Sequence, residues 1–212
     1  MRTRVKFCGV VRPEDAAAAV MLGADAVGAI LYPDAPAAVS PAEAAAIFRA
    51  APPPTATVAV FVNAAPSFVA EVVKRARPSI LQFHGDEDAA YCASFDMPYI
   101  KACRIAAAED AAAAAREYPD AAGILLDSKV RGKYGGTGEP FDWNCIPANS
   151  AAPLFVAGGL TAATVGKLIA AHRPRAVDVS GGIAADGDKR RKDFDKMRAF
   201  LREVMNADHR KN

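Results

Sequence analysis

With 212 residues, 52% of them hydrophobic and 24% charged, the chain is long enough to bury one substantial core. A net charge of +2 leaves no electrostatic case for nucleic acid or an anionic membrane as a partner. No apolar run approaches a membrane span, MRTRVKFCGVV lacks the apolar core of a signal peptide, and the cysteines at 8, 92, 103 and 145 form neither metal-ligand pairs nor a secreted disulfide framework. A cytoplasmic protein with reduced thiols and no metal is the expectation.

In chain order, short apolar strands alternate with helices. Val5–Cys8 is the first strand, and Pro13-Glu14-Asp15 opens an alanine-rich helix that Gly23 ends. Ala26–Leu31 is the second strand, and Ser40-Pro41-Ala42-Glu43 reads as a capping box with proline in the first turn. Thr57–Val62 is followed by a helix over Ser67–Arg77. Ile80–Phe83 is followed by Asp86-Glu87-Asp88, negative charge suited to a helix's first turn. Tyr99–Cys103 precedes a helix over Ala106–Tyr118. Gly123–Asp127 is the sixth strand, and its four apolar residues end abruptly on a carboxylate.

After it come the glycine-rich Gly135-Gly136-Thr137-Gly138 and a short, broken helical region around Trp143, interrupted by Pro147 and Pro153. Leu154–Ala157, a helix over Thr161–Ala171 capped by Thr161, Ala176–Val179 and a charged helix over Asp188–Met205 complete the chain. The run Lys189-Arg190-Arg191-Lys192 reads as the exposed face of that last helix, and Cys92, Cys103 and Cys145 as packing residues. Eight strand–helix units predict an α/β fold, a single (β/α)₈ TIM barrel over residues 1–212.

In such a barrel the carboxyl ends of the strands converge on one face, which is where chemistry is placed. Here they are Cys8, Leu31-Tyr32, Asn63, His84, Arg104, Asp127, Gly158-Gly159 and Ser180-Gly181-Gly182. The set is polar and glycine-rich although the strands leading to it are apolar. The loops after strands seven and eight of barrels often bind phosphate through backbone N–H groups, so Gly158, Gly159, Ser180, Gly181 and Gly182 are the candidate phosphate site. Taken alone, Cys8 reads first as a buried structural thiol and each glycine pair as a turn, and Asp127 reads almost as well as a helix cap.

KFCG at 6–9, RPEDA at 12–16, FVNA at 61–64, LQFHGDED at 81–88, LLDS at 125–128, YGGTGEPFDW at 134–143, VAGGL at 156–160 and VDVSGG at 177–182 occur in order. In these motifs the chain resembles the phosphoribosylanthranilate isomerases of tryptophan biosynthesis. The resemblance implies a (β/α)₈ barrel that needs no metal or cofactor. It implies an Amadori rearrangement of a small phosphosugar, with Cys8 as general base and Asp127 as general acid. Two groups on opposite sides of the sugar can divide that labour. The base needs thiolate character, which nearby cations would promote.

His84, Arg104 and Asp178 are the candidate substrate contacts. His84 reads also as a turn residue, and Asp178 as a structural hydrogen-bonding group. The expected oligomeric state is monomer or homodimer.

The chain departs from this pattern after strand two. The family typically reads SPRxVS there, with the arginine holding the anthranilate carboxylate, and Ala37 occupies that position. Gly181 stands for a usual serine, Ala184 for a usual glutamate, and Val11 for a common threonine. Arg104, Arg131 and Lys133 are the cations that could compensate. A barrel isomerase or lyase acting on another sugar phosphate, and a non-catalytic phosphate-ligand-binding barrel, are the alternative readings.

Overall fold

The structure, a computed structural model, describes residues 2–105, 107–128 and 142–210. Eight parallel strands close into a barrel in sequence order: β1 (Arg4–Phe7), β2 (Ala26–Ile30), β3 (Ala56–Phe61), β4 (Ile80–Phe83), β5 (Tyr99–Ile105), β6 (Gly123–Ser128), β7 (Leu154–Val156) and β8 (Ala176–Val179). β8 pairs with β1 along its length, from Arg4↔Ala176 to Phe7↔Val179. The fold is the (β/α)₈ barrel that the strand–helix rhythm predicts.

Both faces of the strands are buried, in separate layers. Val5 and Phe7 of β1, Ala59 and Phe61 of β3, and Leu81 and Phe83 of β4 join the large core under the helices. Their alternates fill the barrel interior. Cys8, Val58 and Val60 form one inner cluster, and Ile100, Ala102, Leu125 and Ala157 the other. A strand apolar on both sides shows no period of two in sequence, so composition locates it but does not orient it.

The helices are α1 (Pro13–Leu22), α2 (Pro41–Arg49), α3 (Pro66–Ala76), the single-turn α4 (Ala89–Ala93), α5 (Ala108–Glu117), α6 (Ala162–His172) and α7 (Phe194–His209). Their ends follow local chemistry. Gly23 closes α1 at φ 90°. Ser40 Oγ accepts from Glu43 N–H at 3.2 Å while the Glu43 carboxylate accepts from Ser40 N–H at 2.7 Å, the expected capping box on α2. Thr161 precedes α6 as expected, but its N–H donates to the Thr164 hydroxyl at 3.0 Å, and its own hydroxyl faces that same group.

Two expectations need correcting. The charged helix begins at Phe194 rather than Asp188, capped by Asp193, whose side chain accepts from Lys196 N–H at 2.9 Å. Residues before it form a hairpin, β9 (Ala184–Ala185) with β10 (Asp188–Lys192), so Lys189–Lys192 is a strand and Lys192 is buried. In the acidic run 86–88, only Asp88 caps a helix, accepting from Tyr91 N–H at 2.7 Å. Glu87 turns inward onto Lys101. Between β6 and β7 the described residues carry only a 3₁₀ turn at Trp143–Cys145. Gly135–Gly138, Arg131 and Lys133 lie outside the described residues.

Candidate active site

Cys8 follows β1 directly, its N–H donating to Val179 O at 2.9 Å and the residue 6% exposed. Lys6, two residues earlier on the same inner face, places Nζ 2.9 Å from Asp178 Oδ1 on β8, and both side chains are buried. Gly28 on β2 makes the space for this group. A Cβ there would lie 3.0 Å from Lys6 Cε and 3.1 Å from both Lys6 Nζ and Cys8 Sγ. The lysine was legible as the first residue of KFCG. Only barrel closure reveals it as a buried cation against the thiol.

Electrostatics set the resting state of the thiol. Burial pushes the Cys8 thiol up from its ordinary value, the neighbouring Asp178 carboxylate adds to that, and the Lys6 and Lys192 ammoniums oppose it without reversing it. The balance favours the protonated thiol, and Lys6 and Lys192 are the groups that act toward thiolate character. Burial alone would push the Lys6 ammonium down, but the charges and hydrogen bonds of Asp178 and Cys8 outweigh it and hold the group above its ordinary value. Among the described residues Lys192 has no such close carboxylate, and burial brings it down to about 8. Its Nζ donates to Ser180 O at 3.1 Å and Ser180 Oγ at 3.3 Å, while its N–H donates to Asp15 Oδ2 at 3.1 Å. In sequence Lys192 is hidden inside a run of four cations.

Asp127 ends the inner face of β6, three strands around the ring from β1, and is buried. His84 Nε2 lies 3.1 Å from Asp127 Oδ2, and Gln82 Nε2 lies 3.0 Å from His84 Nδ1. With the Gln82 amide nitrogen toward it, Nδ1 accepts, and Nε2 carries the proton offered to Asp127. Gln82 is fully buried, and among the described residues its Oε1 has no hydrogen-bond partner. The glutamine stands in LQFHGDED, yet nothing in its sequence position marks it as facing inward.

The loops after β7 and β8 approach closely. Gly158 and Gly159 have φ of 81° and 63°, a conformation that turns successive N–H groups toward one side. Gly182 sits so tightly that a Cβ would fall 2.0 Å from Leu160 O. Among the described residues, no acceptor takes the N–H groups of Gly158, Gly159, Gly181 or Gly182. Ser180 separates this pair of loops from Lys192. Arg104, at the end of β5, pairs with Asp86 at 2.5 Å. Beneath it Lys101 Nζ donates to Gly85 O at 2.7 Å and meets Glu87 Oε2 at 3.4 Å, and Glu87 accepts from the N–H groups of Asn63 and Gly85. This buried pair fixes the β3 and β4 loops, so it supports the mouth of the barrel without entering it.

The strand ends thus bring Cys8, Asp178, Ser180 and the four glycines to one side of the mouth, and His84, Asp127 and Arg104 to the other. Among the described residues no cluster of ligands is placed to hold a metal ion, and no helix is long and apolar enough to cross a membrane.

Known proteins match this chain over almost its whole length. The family model for N-(5'phosphoribosyl)anthranilate (PRA) isomerase matches residues 5–203. The N-(5'-phosphoribosyl)anthranilate isomerase of Pseudomonas fluorescens (strain Pf0-1) is 49% identical over 201 residues, covering 95% of this chain and 98% of that one. That of Dechloromonas aromatica (strain RCB) is 47% identical over 208 residues, covering 98% and 99%. The crystal structure of phosphoribosyl anthranilate isomerase from Thermotoga maritima superposes with a TM-score of 0.83 at 32% identity, covering 96% of this chain and 99% of that one. A second structure of such an isomerase, at TM-score 0.80, 31% identity and the same coverage, holds reduced 1-(o-carboxyphenylamino)-1-deoxyribulose 5-phosphate. On the family match, on fold and on identity across its length, the chain belongs to the N-(5'-phosphoribosyl)anthranilate isomerase family.

Proposed function

We propose that this enzyme converts N-(5'-phosphoribosyl)anthranilate to 1-(2-carboxyphenylamino)-1-deoxyribulose 5-phosphate in tryptophan biosynthesis. The observation that carries the reading is the placement of Cys8 and Asp127. Each is buried at the end of an inner strand face, with separate partners, across the mouth of one barrel.

Asp127 delivers a proton to the ring oxygen as the C1′–O bond breaks, with the nitrogen lone pair forming the open-chain protonated imine, which keeps its N–H. Cys8, as thiolate, removes the C2′ proton, and the C–H electron pair moves toward the imine to give the enolamine. Ketonisation returns a proton to C1′ and removes one from the C2′ hydroxyl, so substrate and product remain isomers. Only protons move, and two positioned groups can move them.

His84 and Gln82 hold the acid in position. With Nε2 protonated, His84 donates to the carboxylate that Asp127 becomes. Turning the Gln82 amide end for end sets Oε1 against Nδ1–H, which gives the orphaned oxygen a partner and leaves Nε2 to accept from protonated Asp127. The two arrangements match the two states of the acid. Lys6 and Lys192 oppose the burial of charge on Cys8, and the N–H groups of Gly158, Gly159, Gly181 and Gly182 suit the phosphate. Four free cysteines suit a reducing compartment, and we place the enzyme in the cytoplasm.

Turnover of N-(5'-phosphoribosyl)anthranilate by the purified protein tests the reading. Cys8→Ala and Asp127→Asn should each lower kcat by about 10²–10⁴-fold with inhibition by inorganic phosphate unchanged. A wild type that makes no product overturns the assignment, and near-normal kcat in either variant overturns that residue's role.

A further inference from the structure

An arginine from the hairpin after β8 reaches the loop after β2, more than 150 residues away in sequence. Arg190 Nη1 donates to Pro36 O at 3.3 Å and to Ala38 O at 3.1 Å. These carbonyls stand on either side of Ala37, so the guanidinium is anchored over the position where the motif would carry its own arginine.

Ala37 itself lies at the mouth. A Cβ on Gly9, the residue after Cys8, would sit 3.5 Å from the Ala37 methyl and 2.8 Å from Ser180 Oγ. β2 is hydrogen-bonded to β1, so Arg190 stands beside the strand that carries the base.

We propose that Arg190 supplies the cation that holds the aromatic carboxylate of the substrate, the contact that Ala37 cannot make; this rests on the isomerase reading above. Nη1 uses its two N–H groups on the two carbonyls. The Nη2 and Nε groups make no hydrogen bond among the described residues. They form the parallel pair of donors that a planar carboxylate accepts. Anchoring removes side-chain freedom before the ligand arrives, so less is lost on binding. The Arg190 N–H also donates to Asp188 Oδ1 at 2.9 Å, which fixes the hairpin backbone at that point. Arg104, the other described cation weighed for this role, is engaged by Asp86 on the far side of the mouth.

The test uses two competitive inhibitors: the reduced product analogue with its ring carboxylate, and its counterpart with a plain phenylamino ring. Arg190→Met should raise Ki for the first by about tenfold or more, the usual worth of a charge-assisted hydrogen bond. It should leave Ki for the second and for inorganic phosphate unchanged, and KM should rise more than kcat falls. Arg190→Lys should fall between, and Lys189→Met on the same exposed strand should match wild type. Equal loss for both inhibitors would reduce Arg190 to a tie holding the hairpin, and an unchanged Ki for the first would also overturn the proposal. A wild type that binds neither inhibitor and makes no product would instead remove the isomerase reading beneath it.

Discussion

Replacing Lys6 by methionine keeps the unbranched stem of the side chain and removes the buried ammonium. Lys6 and Asp178 are each less than a tenth exposed and 2.9 Å apart, so the substitution strands a carboxylate in the barrel interior. Breaking a buried pair from one side costs about 3–5 kcal/mol, because the remaining ion keeps its desolvation penalty without its partner. For a chain of this length that corresponds to roughly 6–20 °C in Tm. Lys6→Met/Asp178→Leu removes both charges and should recover most of that loss, since apolar replacement of a whole buried pair is often neutral.

Activity should not recover with stability. The double variant lacks the cation that most strongly opposes the burial of charge on Cys8, so its kcat should stay far below wild type. Urea denaturation of the four proteins of the cycle, with kcat measured on each, reads both effects. A single variant that loses less than about 1 kcal/mol, or a double variant no more stable than the single, would show that the pair is not electrostatically coupled in the fold.

Two further outcomes follow from the same group. Because burial raises the Cys8 thiol above its ordinary value, the base form is scarce at neutral pH, and kcat/KM should climb with pH through the ordinary thiol value of 9.0. A profile already level below neutrality would mean that the resting site holds thiolate. Gly28→Ala drives a Cβ to within 3.0–3.1 Å of Lys6 and Cys8, so it should cost about 1–3 kcal/mol and lower kcat with little effect on phosphate inhibition; a fully active, equally stable variant would refute the close packing.

Much of this protein is local. The eight apolar segments, Gly23 as a stop signal and the Ser40–Glu43 box are each decided by a few consecutive residues, because helix caps and short buried strands depend on neighbouring chemistry. Cys8, His84, Arg104 and Asp127 could be named as strand-end residues for the same reason: a polar side chain at the end of an apolar strand marks where the core stops.

What the tertiary structure alone decided is orientation and company. Strands buried on both faces carry no alternation, so only closure of the barrel showed that Lys6 and Gln82 point inward, and only β8 beside β1 gave Lys6 its carboxylate. The run 188–192 is polar throughout and satisfies a helix surface as well as a hairpin. Lys192 became a buried neighbour of Ser180, and Arg190 a neighbour of Ala37, through contacts whose cost and benefit are paid between segments distant in sequence. Those segments meet only because a closed ring of strands brings every carboxyl end to the same face.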